Sequence, residues 1–512
     1  MQKKGKLELT WVGKYDVPEL EPRILIEDES KSYGANDTGC MLIHGDNLLA
    51  LKALEAEYVG KVKCIYIDPP YNTGSAFEQY DDNLEHSQWL NLLYPRLKIM
   101  HNLLSEKGSI WISIDADECA YLKIICDEVF GRENYRTMIS WQRKYSVSNN
   151  FKGIATISEY ILVYSKSEKF VANLLPRTEE SINRYGNPDN DSRGPWKAVD
   201  YLNQATVKQR PNLCYEIVNP NTKEIIKNDV KAWKYELATH QKHVEEDRLW
   251  WGIDGKNSVP ALKLFLSEVR QGMTPHNWWP YDEVGHTDEA KKESIALFGK
   301  ENVFATPKPE RLIERVITLS TNPGDIVLDS FLGSGTTIAV AHKMNRKWIG
   351  IELGNHAYTY CKRRIDKVIA GQDLGGITKT VGWIGGGGYR FYELAEPLLV
   401  KNSKLPIYQI NPSYTYDMIA EAICKIEGFT YAPQGEFHGH SSENRFIHIT
   451  MEFVNTKYIQ SMMKNLGERQ SLLIYCKRMQ SDMNLPVNVE VRRIPKDLLN
   501  KCSFEEVQDE NG

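Results

Sequence analysis

Asp68-Pro69-Pro70-Tyr71 is a short motif whose residue types and order can do chemistry. It follows the apolar run CIYI at 64–67, which predicts a buried strand. The two prolines fix an extended loop, so Asp68 and the Pro69 carbonyl become rigid hydrogen-bond acceptors and Tyr71 offers a flat face. Acceptors for an amino group beside a stacking ring suit a base rotated out of a helix. A lone Asp-Pro-Pro is more often a simple turn, and its place after a strand favours a binding loop.

A second motif, DSFLGSGTT at 329–337, lies between a predicted strand and a predicted helix. Gly333 and Gly335 let the backbone approach a ligand closely and present free N–H groups at the helix start. That turn alone is equally typical of an ordinary strand–turn–helix. Glu352, at the end of the next predicted strand, adds an acceptor for ribose hydroxyls. Neither the third glycine of a dinucleotide fingerprint nor a P-loop lysine is present, so we expect an adenosine-containing ligand without phosphates.

An alternation of strands and helices must position these motifs. It predicts an α/β fold with a doubly wound, mostly parallel, seven-stranded sheet, because strands that alternate with helices form such sheets. The predicted strands are 41–43, 64–67, 109–114, 138–141, 160–164, 326–329 and 348–352. Since ligands bind at the carboxyl ends of parallel strands, both motifs are expected at one edge of the sheet.

The alternation is interrupted twice, which predicts several domains. Residues 171–300 are rich in Asn, Pro, Trp and Lys and are expected to form an inserted domain. The glycine run at 385–388 predicts a linker to a small C-terminal α/β domain at 390–512. Residues 1–40 form an N-terminal arm in this interpretation, and 41–170 and 301–384 are the two parts of the sheet domain.

Composition limits the classes of protein that the chain can belong to. Its 512 residues are 41% hydrophobic and carry 63 basic against 68 acidic side chains, for a net charge of −5. A mostly disordered chain is excluded, and a nucleic acid partner would need a local basic surface. The sequence has no long apolar run and no visible signal segment, so we expect no membrane association. Its nine cysteines are scattered and form no CxxC pair, which indicates a reduced, cytoplasmic protein. The twelve histidines show no metal-ligand spacing, so no metal is expected.

Taken together, the motifs resemble the amino-group DNA methyltransferases that use S-adenosyl-L-methionine. The order, with DPPY before FLGSGTT, resembles their β-type permuted arrangement. LIHGDNLLALKALE, FATPKPERLI and WIGIELG extend the likeness to the modification (Mod) subunit of Type III restriction–modification systems, over roughly residues 1–450. The resemblance implies a Rossmann-like methyltransferase fold, double-stranded DNA as substrate, a homodimer and a helicase–nuclease restriction subunit as partner.

The resemblance also implies roles for individual residues. Asp68, Pro69, Pro70 and Tyr71 would hold the target base. The implied cofactor-binding residues are Asp46 near the adenosine, Lys308 at the methionine end, Glu352 at the ribose, and Asp329, Phe331, Gly333, Gly335 and Thr336 along the glycine turn. Residues 171–300 would recognise the target sequence, and 390–512 would serve assembly.

Three alternatives stay open at this point. DPPY favours adenine over cytosine as the methylated base but does not exclude the cytosine amino group. Methylation at cytosine carbon 5 is disfavoured, because it needs a Pro-Cys nucleophile loop that the sequence lacks. A catalytically silent DNA-recognition subunit is the second alternative, and an RNA or protein-glutamine methyltransferase is a distant third.

Two weaker features complete the candidates. Trp278-Trp279 could stack on bases, but paired tryptophans more often pack in a protein interior. Arg143-Lys144 could contact phosphates, and a solvated loop is an equally good interpretation.

Overall fold

The computed structural model describes residues 8–16, 23–35, 38–72, 85–147, 152–402, 405, 407–441, 444–467 and 469–499. The chain divides into two compact units. The larger combines Met1–Asn173 with His276–Gly512, and the smaller is Leu174–Pro275.

Strands and helices alternate through the described chain. In order, the strands are β1 (Leu25–Glu27), β2 (Tyr33–Gly34), β3 (Met41–His44), β4 (Val62–Ile67), β5 (Leu104–Ile114), β6 (Tyr135–Gln142), β7 (Ser158–Ser165), β8 (Trp196–Asp200), β9 (Leu202–Thr206), β10 (Ile217–Val218), β11 (Ile225–Ile226), β12 (Lys231–Trp233), β13 (Leu249–Trp250), β14 (Ala261–Phe265), β15 (Trp278–Trp279), β16 (Ile326–Asp329), β17 (Lys347–Glu352), β18 (Gly388–Leu394), β19 (Leu399–Lys401), β20 (Tyr408–Ile410), β21 (Thr430–Gln434), β22 (Phe437–His440), β23 (Arg445–Val454), β24 (Ser471–Met479) and β25 (Val489–Arg493). The α-helices are α1 (Asn47–Tyr58), α2 (His86–Leu103), α3 (Cys119–Phe130), α4 (Glu179–Asn183), α5 (Leu237–Glu245), α6 (Tyr281–Val284), α7 (Thr287–Phe298), α8 (Glu310–Ser320), α9 (Thr336–Lys343), α10 (Arg363–Ile369), α11 (Thr378–Val381), α12 (Tyr416–Ile426), α13 (Thr456–Met463) and α14 (Lys496–Leu499).

The larger unit is built on one mostly parallel sheet with the strand order β1-β18-β3-β17-β16-β4-β5-β7-β6-β15, in which β2 also pairs with β18. The predicted α/β class and parallel sheet are confirmed. The seven expected strands are contiguous, from β3 to β6, and β1, β2, β18 and β15 extend the sheet to eleven strands. Only β7 runs antiparallel to its neighbours among the seven, and its first residues therefore lie at the edge where the parallel strands end.

Side chains that alternate along the strands bury both faces of the sheet. Ile65 and Ile67 of β4 face the core shared with α1, α2 and α3. Cys64 and Tyr66 point to the other face and are equally buried. α8 packs against β4 and α9 packs against β17. Burial on both faces explains why the central strands read as continuous apolar runs.

The smaller unit, Leu174–Pro275, consists of short strands and two helices around its own core. β13, β14 and β8 form an antiparallel sheet, and β9–β12 and β10–β11 form two-stranded ladders. Its core contains two buried tryptophans, Trp233 and Trp251. The expected insertion extended to residue 300, whereas residues 276–300 lie in the larger unit, where β15 pairs with β6.

The C-terminal region begins later than the glycine run suggested. Gly385–Gly387 have positive φ and lead directly into β18, which pairs in parallel with β3 of the central sheet. The five-stranded sheet β21-β22-β23-β24-β25 follows, with α12 in the core of one face and α13 in the core of the other. A glycine run in turn geometry and a flexible linker have the same composition, which is why the sequence pattern placed the boundary too early.

Membrane-spanning helices and metal-binding clusters are both absent from the described ranges. No helix there has both the length and the apolar character that crossing a membrane requires. No group of three or more His, Cys, Asp or Glu side chains there could hold a metal ion.

Candidate active site

The carboxyl ends of the central strands surround a cavity of about 820 Å³. β4 delivers Asp68, β16 delivers Asp329 and β17 delivers Glu352 to this edge. The predicted site residues that line the cavity are Asp68, Pro69, Pro70, Tyr71, Lys308, Asp329, Phe331, Gly333, Thr336 and Glu352. One cavity therefore joins the DPPY loop (residues 68–71) to the glycine turn (residues 329–337), and its size is that of a small-molecule site.

The DPPY loop is held from below by a tryptophan. The indole Nε1 of Trp89, which is fully buried on α2, donates a 2.8 Å hydrogen bond to the Pro70 carbonyl. The Tyr71 hydroxyl donates to Asp68 Oδ1 at 2.8 Å. Proline dihedrals and these two bonds fix the loop before any ligand arrives, which is the preorganisation that a reacting site needs.

Lys308 makes the shortest hydrogen bonds to Asp68 among the described residues. Its Nζ lies 2.7 Å from Oδ1 and 2.6 Å from Oδ2 of Asp68, and it donates to the Tyr71 hydroxyl at 3.0 Å. The resemblance implied a role for Lys308 at the methionine end of a cofactor, whereas its side chain bonds to Asp68 and Tyr71 of the DPPY loop here.

Glu159 is a site residue that sequence reasoning missed. It stands near the start of the antiparallel strand β7, and its Oε2 is 3.2 Å from the Tyr71 hydroxyl and 3.8 Å from Lys308 Nζ. Its Oε1 is 3.0 Å from Nη1 of Arg143, so Arg143 also lines the cavity. A charged residue opening a strand resembles a solvent-exposed one, and only the reversed direction of β7 brings Glu159 to the site.

The glycine turn is shaped by two residues in the left-handed region. Gly333 has φ +53° and Gly335 has φ +76°. A Cβ at Gly333 would lie 3.2 Å from Phe304, and one at Gly335 would lie 3.1 Å from the Cα of Cys361. The turn thus needs glycine for its dihedral angles and for space, as expected where a backbone approaches a ligand.

Two buried carboxyl groups support this turn. Glu352 Oε2 accepts a 2.7 Å bond from the Gly333 N–H, and Asp329 Oδ1 accepts one of 2.9 Å from the Phe331 N–H. Burial raises the pKa of Glu352 to about 7 and, with the nearby Asp68 and Glu352 charges adding to it, raises the pKa of Asp329 to about 7. Burial and the neighbouring carboxylates also raise the pKa of Tyr71 well above its usual range, so its hydroxyl stays protonated.

Three aromatic rings form a wall beside the glycine turn. The ring centroids of Phe304, His356 and Tyr360 lie 5.2 to 5.3 Å apart, pairwise and edge to face. All three line the cavity. His356 immediately precedes a π-helical turn, Ala357–Lys362, which carries Tyr360. The positions of these three residues in the sequence, relative to Glu352, did not predict that they would line the site.

A buried ion-pair network links the helices α8, α9 and α10 next to the cavity. Glu310, the first residue of α8 and two residues after Lys308, bonds to Lys343 and Arg364 at 2.7 and 2.8 Å. Arg364 also donates to Thr336 Oγ1 at 2.8 Å. The segment carrying Lys308 and the helix start at Thr336 are therefore fixed to one another.

Two of the candidate residues do not line the cavity. Asp46 caps α1, where Oδ1 accepts from the Leu48 and Leu49 N–H groups, and Gly335 turns away as the N-cap of α9. Trp279 is fully buried in the sheet and Trp278 is 48% exposed, so the packing interpretation holds for Trp279.

The chain is similar in sequence to known proteins. A model of the family described as DNA methylase (N6_N4_Mtase) matches residues 62–363, a span that contains both the DPPY loop and the glycine turn. The chain belongs to this family. The Mod subunit of the type III restriction-modification enzyme StyLTI from Salmonella typhimurium is 33% identical to this chain in an alignment of 388 residues, gaps included, that covers 70% of this chain and 56% of the relative.

Two further relatives give the same result. The Mod subunit of the probable type III enzyme HindVI from Haemophilus influenzae is 34% identical over 69% of this chain and 54% of its own length. The type II methyltransferase M.KpnI from Klebsiella pneumoniae is 31% identical over 65% of this chain and 85% of its own length. The resemblance to Type III modification subunits is confirmed, and this chain spans little more than half the length of the two Mod subunits.

Proposed function

We propose that this protein transfers a methyl group from S-adenosyl-L-methionine to the exocyclic amino nitrogen of adenine in double-stranded DNA. The observation that carries the proposal is the single cavity in which the DPPY loop faces the glycine turn. A cofactor and a flipped-out base held at these two places would meet inside it.

The charges and shape of the cavity fit this cofactor. Asp68, Asp115, Glu159, Asp329 and Glu352 line it, against the cationic Lys308 and Arg143. Such an acidic interior suits a ligand with a positive sulfonium and repels phosphates. S-Adenosylmethionine supplies a methyl group that is already activated for transfer.

Glu352, Gly333 and Phe304 would each contact a part of S-adenosylmethionine. Glu352, buried and ending β17, is placed to accept hydrogen bonds from ribose hydroxyls. Gly333 leaves room for close approach of the ligand to the backbone, and the Phe304 ring beside it supplies an apolar wall.

The DPPY loop would prepare the amino group for attack. Asp68 and the Pro69 carbonyl accept its hydrogens and favour a pyramidal nitrogen whose lone pair is available, and Tyr71 stacks on the base. When bound, S-adenosylmethionine would supply the methyl group and keep the electron pair of the broken sulfur–methyl bond on sulfur. The amino nitrogen would form the new bond to the methyl group and release one proton to Asp68 or to water. No step needs a metal ion or a nucleophilic cysteine.

Nucleoside mass spectrometry tests this proposal. The protein is incubated with S-adenosylmethionine and unmethylated genomic DNA, and the DNA is digested. N6-methyldeoxyadenosine is the expected product. Detection of N4-methyldeoxycytidine instead would show that the methylated group is the cytosine amino group. DNA binding without any methylated nucleoside would leave the silent recognition subunit and refute the enzyme.

For sequence recognition we propose the smaller unit, Leu174–Pro275. It has its own core, so it can vary without disturbing the central sheet, and exposed polar and basic side chains cover its ladders. Replacing 174–275 by the corresponding segment of a relative should change the methylated sequence. An unchanged sequence would assign specificity to the larger unit.

For assembly we propose a homodimer that joins a helicase–nuclease subunit, in the cytoplasm. The names of two relatives, each a Mod subunit of a restriction-modification enzyme, support a further subunit as partner, and the dimer follows from the family resemblance alone. Residues 395–512 are expected to provide the contact. Sedimentation of the full chain at several concentrations should show a dimer, and a monomer throughout would contradict this assembly.

A further inference from the structure

Asp68 is almost fully occupied as a hydrogen-bond acceptor. A carboxylate has about four lone-pair sites. Lys308 Nζ takes one site on each oxygen, at 2.7 and 2.6 Å, and the Tyr71 hydroxyl takes another on Oδ1 at 2.8 Å. An amino group that reaches this cavity therefore competes with two resident donors for its acceptor.

The Lys308 charge also opposes the reaction that the site is proposed to perform. Positive charge grows on the amino nitrogen as it attacks the methyl group. An ammonium group bonded to the same carboxylate repels that charge and cancels the stabilisation that Asp68 provides. Methyl transfer is favoured only if Lys308 leaves Asp68.

Glu159 offers both donors a second acceptor. Its Oε2 lies 3.8 Å from Lys308 Nζ and 3.2 Å from the Tyr71 hydroxyl. Nζ needs to move only about 1 Å toward Glu159 to reach ordinary hydrogen-bond length. Arg143 holds the other oxygen, Oε1, at 3.0 Å, so the acceptor is fixed in place and 7% exposed.

We propose that Glu159 is a positioning residue that takes over Lys308 and the Tyr71 hydroxyl from Asp68 when the target amino group enters. Asp68 is then free to accept the amino hydrogens, and the ammonium charge is neutralised at a second carboxylate. Lys308 keeps Asp68 paired in the absence of DNA. This inference rests on the proposed methyltransferase function.

A double-mutant cycle tests the hand-over. Single-turnover methylation rates are measured for the wild type, Glu159→Gln, Lys308→Met and the double variant. If Glu159 acts by receiving Lys308, Glu159→Gln slows the wild type by about tenfold or more and slows the Lys308→Met protein by less than about threefold. Equal effects in both backgrounds would show that Glu159 acts independently, through Arg143 for example, and would overturn the inference.

A binding readout accompanies the rates. Once the methylated site is mapped, affinities are compared for duplexes carrying adenine or purine, which lacks the amino group, at the target. The preference for adenine should fall in Glu159→Gln and return in the double variant. A preference that is the same in all four proteins would also overturn the inference.

The chain offers a matched control for folding. Glu128 is a 9% exposed carboxylate that bonds to Lys14 and to the Tyr94 hydroxyl outside the cavity, just as Glu159 faces a lysine and a tyrosine. Glu128→Gln should lower the melting temperature without changing the adenine preference. If Glu159→Gln does not fold, Glu159→Asp, which keeps the charge and shortens the reach, replaces it in the same cycle. A wild type without methylation would instead remove the proposed function itself.

Discussion

Glu352 should make cofactor binding depend on pH. Burial raises its pKa to about 7, and the ionised form is the better acceptor for ribose hydroxyls. With that pKa, about one-tenth of the protein carries the carboxylate at pH 6 and about nine-tenths at pH 8. Apparent affinity follows the competent fraction, so it should rise about tenfold between these values, or about 1.4 kcal/mol.

Glu352→Gln is the matched perturbation. It keeps the size of the side chain and removes the titration, at a loss of about 1.5–3 kcal/mol of hydrogen bonding to a charged group. Titration calorimetry with S-adenosylhomocysteine at pH 6, 7 and 8 measures both proteins. The ligand amino group titrates in both proteins, and the substitution also removes the charge by which Glu352 raises the pKa of Asp329. The difference between the proteins therefore reports Glu352 together with its effect on Asp329.

The pH dependence of folding stability tests the raised pKa of Glu352 independently of ligand binding. A pKa raised in the folded state gives stability that is fully present below the unfolded value near 4.5 and is lost as pH rises through about 7. Without ligand, Glu352→Gln should therefore gain melting temperature relative to wild type between pH 5 and pH 8, opposite to its effect on binding. Wild-type affinity that stays flat from pH 6 to 8, or a slope of the same size in Glu352→Gln as in the wild type, would contradict this role of Glu352.

Two other substitutions test how the motifs are held. Gly335→Ala combines φ +76° with a Cβ 3.1 Å from Cys361, and it should cost about 1–2 kcal/mol or more. Its melting temperature should fall below that of Gly299→Ala, where φ is +83° but no atom lies within 4 Å; equal losses would show that the contact is unimportant. Trp89→Phe removes the donor to the Pro70 carbonyl and should cost about 1–3 kcal/mol. It should also lower kcat at unchanged cofactor affinity, and an unchanged kcat would show that the loop is held by its prolines alone.

The central strands and both loops were predictable because their signals are local. A strand segment buried on both faces, such as residues 64–67 of β4 or 326–328 of β16, is a continuous apolar run that stops at an aspartate. Asp68 and Asp329 mark those ends. The DPPY and glycine motifs therefore predict both the strand before them and a position at the carboxyl edge of the sheet, where ligands bind in such folds.

The contacts made across the cavity were not predictable, because they join distant parts of the chain. Lys308 reaches Asp68 across 240 positions of sequence, and nothing near either residue encodes the pairing. Glu159 enters the site because β7 is antiparallel, a property of the sheet rather than of the strand. β18 joined the sheet unexpectedly, since Gly385–Gly387 resemble a linker in composition.

The separation of the two ends of the cavity is tested most directly by Asp68→Ala. Asp68 and the glycine turn with Glu352 line the same cavity, and the proposed function assigns the base to Asp68 and the cofactor to the glycine turn and Glu352. The variant and the wild type are compared for transfer of labelled methyl groups to DNA and, by calorimetry, for S-adenosylmethionine affinity. In Asp68→Ala, transfer should be abolished and cofactor affinity should be retained. Methylation at the wild-type rate, or loss of cofactor binding together with transfer, would contradict it.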